Sequence, residues 1–212
     1  GQFAYQLPLD YGNHGIPYGH NDWWCCYGTA SQAFANLAAG IYAYDQDSVY
    51  ASLFVPSEVR WTRDDGTVFL EQVTEFPASG ETELRIRVDA PMAFGVKVRV
   101  PQWLKHPNLR SLKSAYQVKV NGTEVPAIIQ DNWTTLHRTW KSGDVIEIDM
   151  DVPVYTENIV DSMGKFAFLY GPLTLAGATE ERISFKRESL LRHCGFAYQT
   201  LRQVRESMTH IE

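Results

Sequence analysis

Leu84-Arg85-Ile86-Arg87-Val88 and Val96-Lys97-Val98-Arg99-Val100 each place an apolar residue at every second position with a cation between. A helix would scatter that pattern around its circumference, whereas an extended chain sends the apolar side chains to one face and the charges to the other. Both runs are therefore predicted to be strands with one buried and one wet face. Working outward, similar short runs occupy Val49 to Val55, Glu58 to Trp61, Val68 to Val73, Tyr116 to Val120, Trp133 to His137, Val145 to Met150 and Phe166 to Tyr170. Breaks fall at Asp64-Asp65-Gly66, Ser79-Gly80 and Ala90-Pro91, and Asn121-Gly122 reads as a hairpin turn into Glu124-Val125. Many short strands at even spacing predict a mainly β chain, an antiparallel two-sheet sandwich of jelly-roll type.

The residues before the strands read differently. Residues 1 to 28 are rich in Gly, Pro, Tyr and His without a sustained period, and are predicted to be an ordered loop. Thr29-Ala30-Ser31-Gln32 has the form of a capping box, and Ala33, Phe34, Leu37, Ala38 and Ile41 then share one helical face. One helix is predicted from Thr29 to the Gly40 or Tyr44 region, with an apolar stripe that needs a partner surface. Residues 179 to 212 read as a tail, helical or unstructured, so the chain divides into 1–45, 46–178 and 179–212.

An apolar content of 44%, with 13% aromatic residues, fills a core in a chain of 212 residues. A net charge of −6 without a concentrated basic face disfavours nucleic acid as a partner. No run approaches the roughly 20 apolar residues of a membrane span, and GQFAYQLPLD lacks the form of a signal peptide.

Chemistry concentrates in Asn21-Asp22-Trp23-Trp24-Cys25-Cys26-Tyr27-Gly28-Thr29. Adjacent cysteines pair with each other only as a strained ring, and the third cysteine, Cys194, lies in the tail. Three readings stay open on spacing alone: small apolar residues packed under Trp23 and Trp24, a metal or nucleophilic site, or a vicinal disulfide. A thiol acts as nucleophile or ligand as thiolate, a form favoured by the positive end of the following helix and by a soft metal such as zinc.

Phe3-Ala4-Tyr5-Gln6-Leu7-Pro8-Leu9, Trp24-Cys25-Cys26-Tyr27-Gly28-Thr29 and Leu53-Phe54-Val55-Pro56-Ser57-Glu58-Val59-Arg60-Trp61 together resemble the β-L-arabinofuranosidase superfamily, once catalogued as a domain of unknown function, in its WCC branch from gut bacteria. Val98-Arg99-Val100-Pro101-Gln102-Trp103, Val120-Asn121-Gly122, Thr139-Trp140-Lys141-Ser142-Gly143-Asp144 and Phe168-Leu169-Tyr170-Gly171-Pro172-Leu173 agree in order. The resemblance covers roughly residues 3 to 177. It implies an (α/α)6 catalytic barrel followed by β-sandwich domains, so residues 1–45 would be the last active-site loop and helix of the barrel. It further implies a retaining glycosidase with a zinc-bound cysteine nucleophile. Carried onto this chain, Cys25 matches the nucleophile and Cys26 a companion zinc ligand. The family's zinc glutamate, third zinc cysteine and acid/base glutamate precede that pair, yet residues 1–24 contain neither Cys nor Glu. The expectation is a C-terminal part of a larger enzyme, inactive alone, acting with its parent on arabinose-containing plant glycans in a bacterial periplasm or cytoplasm, where a reducing setting suits the thiols.

His20 and Trp24 are candidate substrate contacts, His20 through a hydrogen bond and Trp24 as a sugar platform, while His14, Trp23 and Tyr18 are weaker ones. Glu58 reads as a structural hydrogen-bonding group, Asp64-Asp65-Gly66 as a turn, and Trp61, Trp103, Trp133 and Trp140 as core aromatics rather than a sugar-binding face. Two rival functions remain: a non-catalytic carbohydrate-binding or structural sandwich, and a subunit whose Phe34, Leu37 and Ile41 dock on a separate barrel chain.

Overall fold

The computed structural model describes residues 25–105, 112–159 and 162–175. The predicted loop at 1–24 and the tail at 179–212 lie outside them. Two short helices come first, α1 at Cys25–Ala35 and α2 at Leu37–Ile41. The helical stretch thus starts four residues earlier than the capping box suggested. Thr29 sits inside α1, where its Oγ1 donates back to the Cys25 carbonyl at 3.5 Å. A threonine inside a helix can satisfy its hydroxyl this way, so the S/T-x-x-Q spacing did not mark the start. The two helices part at Asn36 (φ −97°, ψ 0°), whose N–H is shared between the Gln32 and Ala33 carbonyls.

Only Ile41 of the predicted apolar stripe is buried; Phe34 is 64% and Leu37 44% exposed. The Ile41 carbonyl accepts the Ser52 N–H at 2.8 Å, which ties the end of α2 to the first strands. These are β1 (Tyr42–Tyr44) and β2 (Ser48–Ala51), paired antiparallel. The predicted strand at 49–55 stops at Ala51 because the next residues bond elsewhere. Gln72, itself buried, donates through Nε2 to the carbonyls of Leu53 and Val55 at 3.0 and 2.7 Å.

The remaining strands are β3 (Ser57–Arg63), β4 (Gly66–Thr74), β5 (Glu81–Val88), β6 (Met92–Arg99), β7 (Tyr116–Val120), β8 (Thr123–Glu124), β9 (Ile129–Gln130), β10 (Trp133–Trp140), β11 (Val145–Met150), β12 (Val154–Ile159), β13 (Ser162–Tyr170) and β14 (Leu173–Leu175). A 3₁₀ turn at Gln102–Lys105 and a short helix α3 at Leu112–Ala115 precede β7. One sheet runs β1-β2-β6-β10-β9 and the other β3-β4-β5-β11-β7-β8. The fold is mainly β with largely antiparallel sheets, as the alternation predicted. One pairing departs from that reading: β2 and β6 are parallel. The three-stranded meander β3-β4-β5 leaves for the opposite sheet and supplies the long crossover that a parallel pair requires. A third sheet, β12-β13-β14, follows. Only its middle strand was legible in the sequence.

The core lies between the first two sheets. Val49, Phe94, Val96, Val98 and Trp140 from one meet Trp61, Leu70, Leu84, Ile86, Val118, Ile146 and Ile148 from the other. Trp61 and Phe94 pack edge to face across it, with ring centroids 5.9 Å apart. Leu84, Ile86 and Val88 are buried while Arg85 and Arg87 are exposed, and Val96, Val98 and Val100 are buried beside half-buried Lys97 and exposed Arg99. Trp61 and Trp140 are buried, in keeping with their reading as core residues, whereas Trp103 and Trp133 are half-buried. The Glu58 carboxylate accepts from Arg87 at 3.0 Å on the wet face of the six-stranded sheet.

Two motifs separated in sequence close one corner of that sheet. Asn121 (φ 52°) and Gly122 (φ 75°) take left-handed conformations in the hairpin turn, which an Asn-Gly pair accommodates. The Asn121 side chain donates to Asp144 Oδ1 and accepts the Val145 N–H, both at 2.9 Å. Asp144, 2% exposed, takes the Lys141 N–H on its other oxygen at 2.9 Å.

Candidate functional site

Cys25 and Cys26 occupy the first turn of α1, and both are exposed. Trp23 and Trp24, under which the packing reading placed the thiols, lie outside the described residues. Their sulfurs stand 3.8 Å apart. A disulfide needs about 2.05 Å, so no bond joins the two sulfurs. First-turn N–H groups have no carbonyl within the helix to bond, and the aligned peptide dipoles place partial positive charge at this end.

The same separation tests zinc. Two sulfurs sharing a tetrahedral zinc at about 2.3 Å stand about 3.8 Å apart. The separation of Cys25 and Cys26 is compatible with two corners of such a shell. Among the described residues no group of three or more His, Cys, Asp and Glu could hold a metal, so the other corners would come from elsewhere. His20 and Trp24, the candidate sugar contacts, lie outside the described residues, as do His14, Tyr18, Trp23 and Cys194.

A second cluster escaped the sequence reading. Asp45 begins the turn between β1 and β2, where its Oδ1 accepts the N–H groups of Asp47 and Ser48, both at 2.8 Å. Its Oδ2 accepts the Tyr50 hydroxyl at 2.5 Å, and Tyr50 in turn accepts from the Lys97 ammonium. The hydrogen bond from Tyr50, with those from the turn, lowers the Asp45 pKa, and the same hydroxyl with the Asp45 charge raises that of Lys97. The signal was present in outline: Tyr50 alternates with buried Val49 and Ala51, which puts it on the outer face.

Residues 48–152 match the profile described as β-L-arabinofuranosidase, GH127 middle domain. The segment belongs to the GH127 middle-domain family. Its boundaries take in the strands from β2 through β11, so the family segment comprises most of both core sheets. Among solved structures, a GH127 β-arabinofuranosidase is similar at 28% identity and TM-score 0.66, over 74% of this chain and 27% of that one. A GH127 β-L-arabinofuranosidase from Geobacillus stearothermophilus T6 shares the fold at 24% identity and TM-score 0.63, over 72% of this chain and 24% of its own. A protein titled glycoside hydrolase shares it at 21% identity and TM-score 0.63, over 79% and 28%. This chain therefore spans about a quarter of the length of each. No curated protein matches it. No helix among the described residues is long and apolar enough to cross a membrane.

The GH127 middle domain is the sandwich, and the thiol pair lies ahead of its first matched residue. Several motifs that carried the resemblance turn out to build this domain. Trp140 and Asp144 fill its core and its corner, and Phe54, Phe76 and Trp103 form an aromatic cluster, with Phe76 stacked on Trp103 at 6.3 Å and tilted against Phe54 at 5.3 Å.

Proposed function

We propose that the chain is part of a glycoside hydrolase releasing L-arabinofuranose from plant glycans, in which Cys25 is the nucleophile and Cys26 its companion in a zinc–thiolate centre. The observation that carries this reading is the exposed sulfur pair, 3.8 Å apart at the start of α1, directly ahead of a GH127 middle domain. Zinc, when bound by Cys25 and Cys26, would hold both sulfurs as thiolates at neutral pH. The Cys25 sulfur then attacks the anomeric carbon as the bond to the leaving oxygen breaks, and that oxygen takes a proton from a carboxylic acid. Water, losing its proton to the same carboxylate, attacks the anomeric carbon from the opposite face and displaces the sulfur. Two inversions give net retention.

The carboxylic acid and the remaining ligands are assigned to a barrel beyond this chain, in the same protein or in a partner chain. The exposed Leu37 on α2, ahead of the sandwich, supports such a covering element. The chain by itself is accordingly inactive. Incubation with an aryl β-L-arabinofuranoside should release no aryl alcohol above background, and measurable turnover by the chain alone would overturn the assignment of the acid. Zinc binding gives a separate readout. Equilibrium dialysis should find weak zinc uptake that falls at least about tenfold in Cys26→Ala, since one of two sulfur ligands is lost. Equal uptake by wild type and Cys25→Ala/Cys26→Ala would remove the thiol pair from the site.

A further inference from the structure

The outer face of the five-stranded sheet carries an aromatic and polar strip that neither the thiol chemistry nor the core employs. Tyr50 on β2 and Lys97 on β6 are in register, and Lys97 is in register with Thr135 on β10. Tyr50 leans across to Trp133, edge to face, with ring centroids 5.2 Å apart. Both rings remain half-exposed. The Asp131-Asn132 turn, left-handed at both residues (φ 51° and 67°), delivers Trp133 to this position. The Lys105 ammonium donates to Asn132 Oδ1, and Asn132 O accepts the Val100 N–H at 2.7 Å, so the turn is held at both its side chain and its backbone.

From Trp133 the outward positions of β10 continue through Thr135, His137 and Thr139, all three exposed. Seven residues of strand cover about 20 Å, the scale of an oligosaccharide rather than of one sugar. The half-exposed Trp133 ring offers an aromatic surface for the C–H face of a sugar, and Tyr50 supports it edge to face with the Lys97 ammonium 4.4 Å from its own ring centroid. Hydroxyl, imidazole and the Asp45–Lys97 pair offer donors and acceptors to the sugar's hydroxyls. Charge points to a neutral ligand. Lys97 is paired with Asp45 at 3.6 Å, and Lys97, Arg99 and Lys105 on this sheet and the turn beside it are equalled in number by Asp45, Asp47 and Asp131 on the adjoining turns.

We propose that this strip is a non-catalytic binding site for a neutral glycan chain, anchored on Trp133 and Tyr50 and running along β10. It rests on the glycan-active reading above only for the choice of polysaccharide. A nucleic acid or an acidic polysaccharide would find no net positive field there.

The test is affinity gel electrophoresis and calorimetry on the full chain carrying Cys25→Ser and Cys26→Ser, with soluble arabinoxylan, graded neutral oligosaccharides, and polygalacturonate as the anionic probe. Binding to the neutral polymer, rising with chain length and absent for polygalacturonate, is the expected result. Trp133→Ala and Tyr50→Ala should each weaken it about fivefold to tenfold, the scale of one aromatic contact. Circular dichroism and denaturation midpoints separate lost binding from lost fold, and the Tyr50 variant stands alone if the Trp133 variant unfolds. No neutral-glycan binding by the parent chain, preference for the acidic polymer, or unchanged affinity in both folded variants would overturn the proposal. Because the thiols are absent from every protein tested, these outcomes leave the zinc and hydrolysis experiments independent.

Discussion

Trp140→Ala should lower the unfolding free energy of the sandwich by about 3–5 kcal/mol, and Trp140→Phe by only about 1–2 kcal/mol. Trp140 is fully buried on β10, and its ring is tilted against Phe94 with centroids 6.2 Å apart. Phe94 carries the contact on to Trp61 in the opposite sheet. Truncation therefore removes atoms from the junction at which the two sheets meet. The indole N–H also donates to the Phe94 carbonyl at 2.9 Å. Alanine leaves a cavity as well as that carbonyl short of a partner, whereas phenylalanine keeps most of the volume and loses only the donor. Domains of this kind are stable by about 5–15 kcal/mol, so the alanine variant loses a large share of that stability. Urea denaturation of the three proteins checks this. An alanine variant within about 1 kcal/mol of the parent would mean that the sheets do not close on Trp140.

Leu84, Ile86 and Val88 show why the sandwich was legible in the sequence. A strand with one wet face must alternate, and nothing else in a globular chain alternates so regularly. Pairing partners are not encoded that way. Val49 and Ala51 look the same whether β2 meets its neighbour parallel or antiparallel, so the parallel pairing with β6 had no local signal. Tyr42-Ala43-Tyr44 was absorbed into the helix because Ile41 and Tyr44 continue its spacing, yet the residues form β1 against β2. In β12, Tyr155 is buried while Thr156 is half-buried and Glu157 and Asn158 are exposed, so no two-residue period announces it.

The site divides along the same line. Adjacent cysteines are visible in any sequence, and here the structure supplies their separation and exposure. Tyr50 and Trp133 are 83 positions apart and come together only because β2, β6 and β10 are neighbours. A reading by local pattern weighed Trp133 among core aromatics, and its half-exposed ring on the outer face is a consequence of register. The Asn121–Asp144 contact is a third case, in which two motifs that looked like separate family marks prove to be one structural clasp.

That clasp should make stability depend on pH in acid. Burial by itself would raise the Asp144 pKa, but the hydrogen bonds from the Lys141 N–H and Asn121, with the positive charges of Lys141 and Arg138, outweigh it and lower the pKa. A carboxylate with a lowered folded pKa stabilises the fold fully above its unfolded value of about 3.9. The contribution is lost as pH falls through the folded value. Asp144→Ala should cost about 2–3 kcal/mol at pH 7, because two N–H donors lose a charged acceptor in a buried corner. Asp144→Asn keeps the shape but turns a donor toward donors, and should cost less than Ala while removing the titration. Denaturation between about pH 5 and pH 2 should show the parent losing stability faster than the Asn variant, converging toward it at the acid end. Asp45 and Asp65 also have lowered pKa values, Asp45 through Tyr50 and the turn N–H groups and Asp65 through its hydrogen bond from Arg63, and both remain in the variant. The Asn variant therefore retains their share of the acid slope, and the difference between the two curves isolates Asp144. Parallel curves for parent and variant across that window would mean that the corner holds its geometry without the charge.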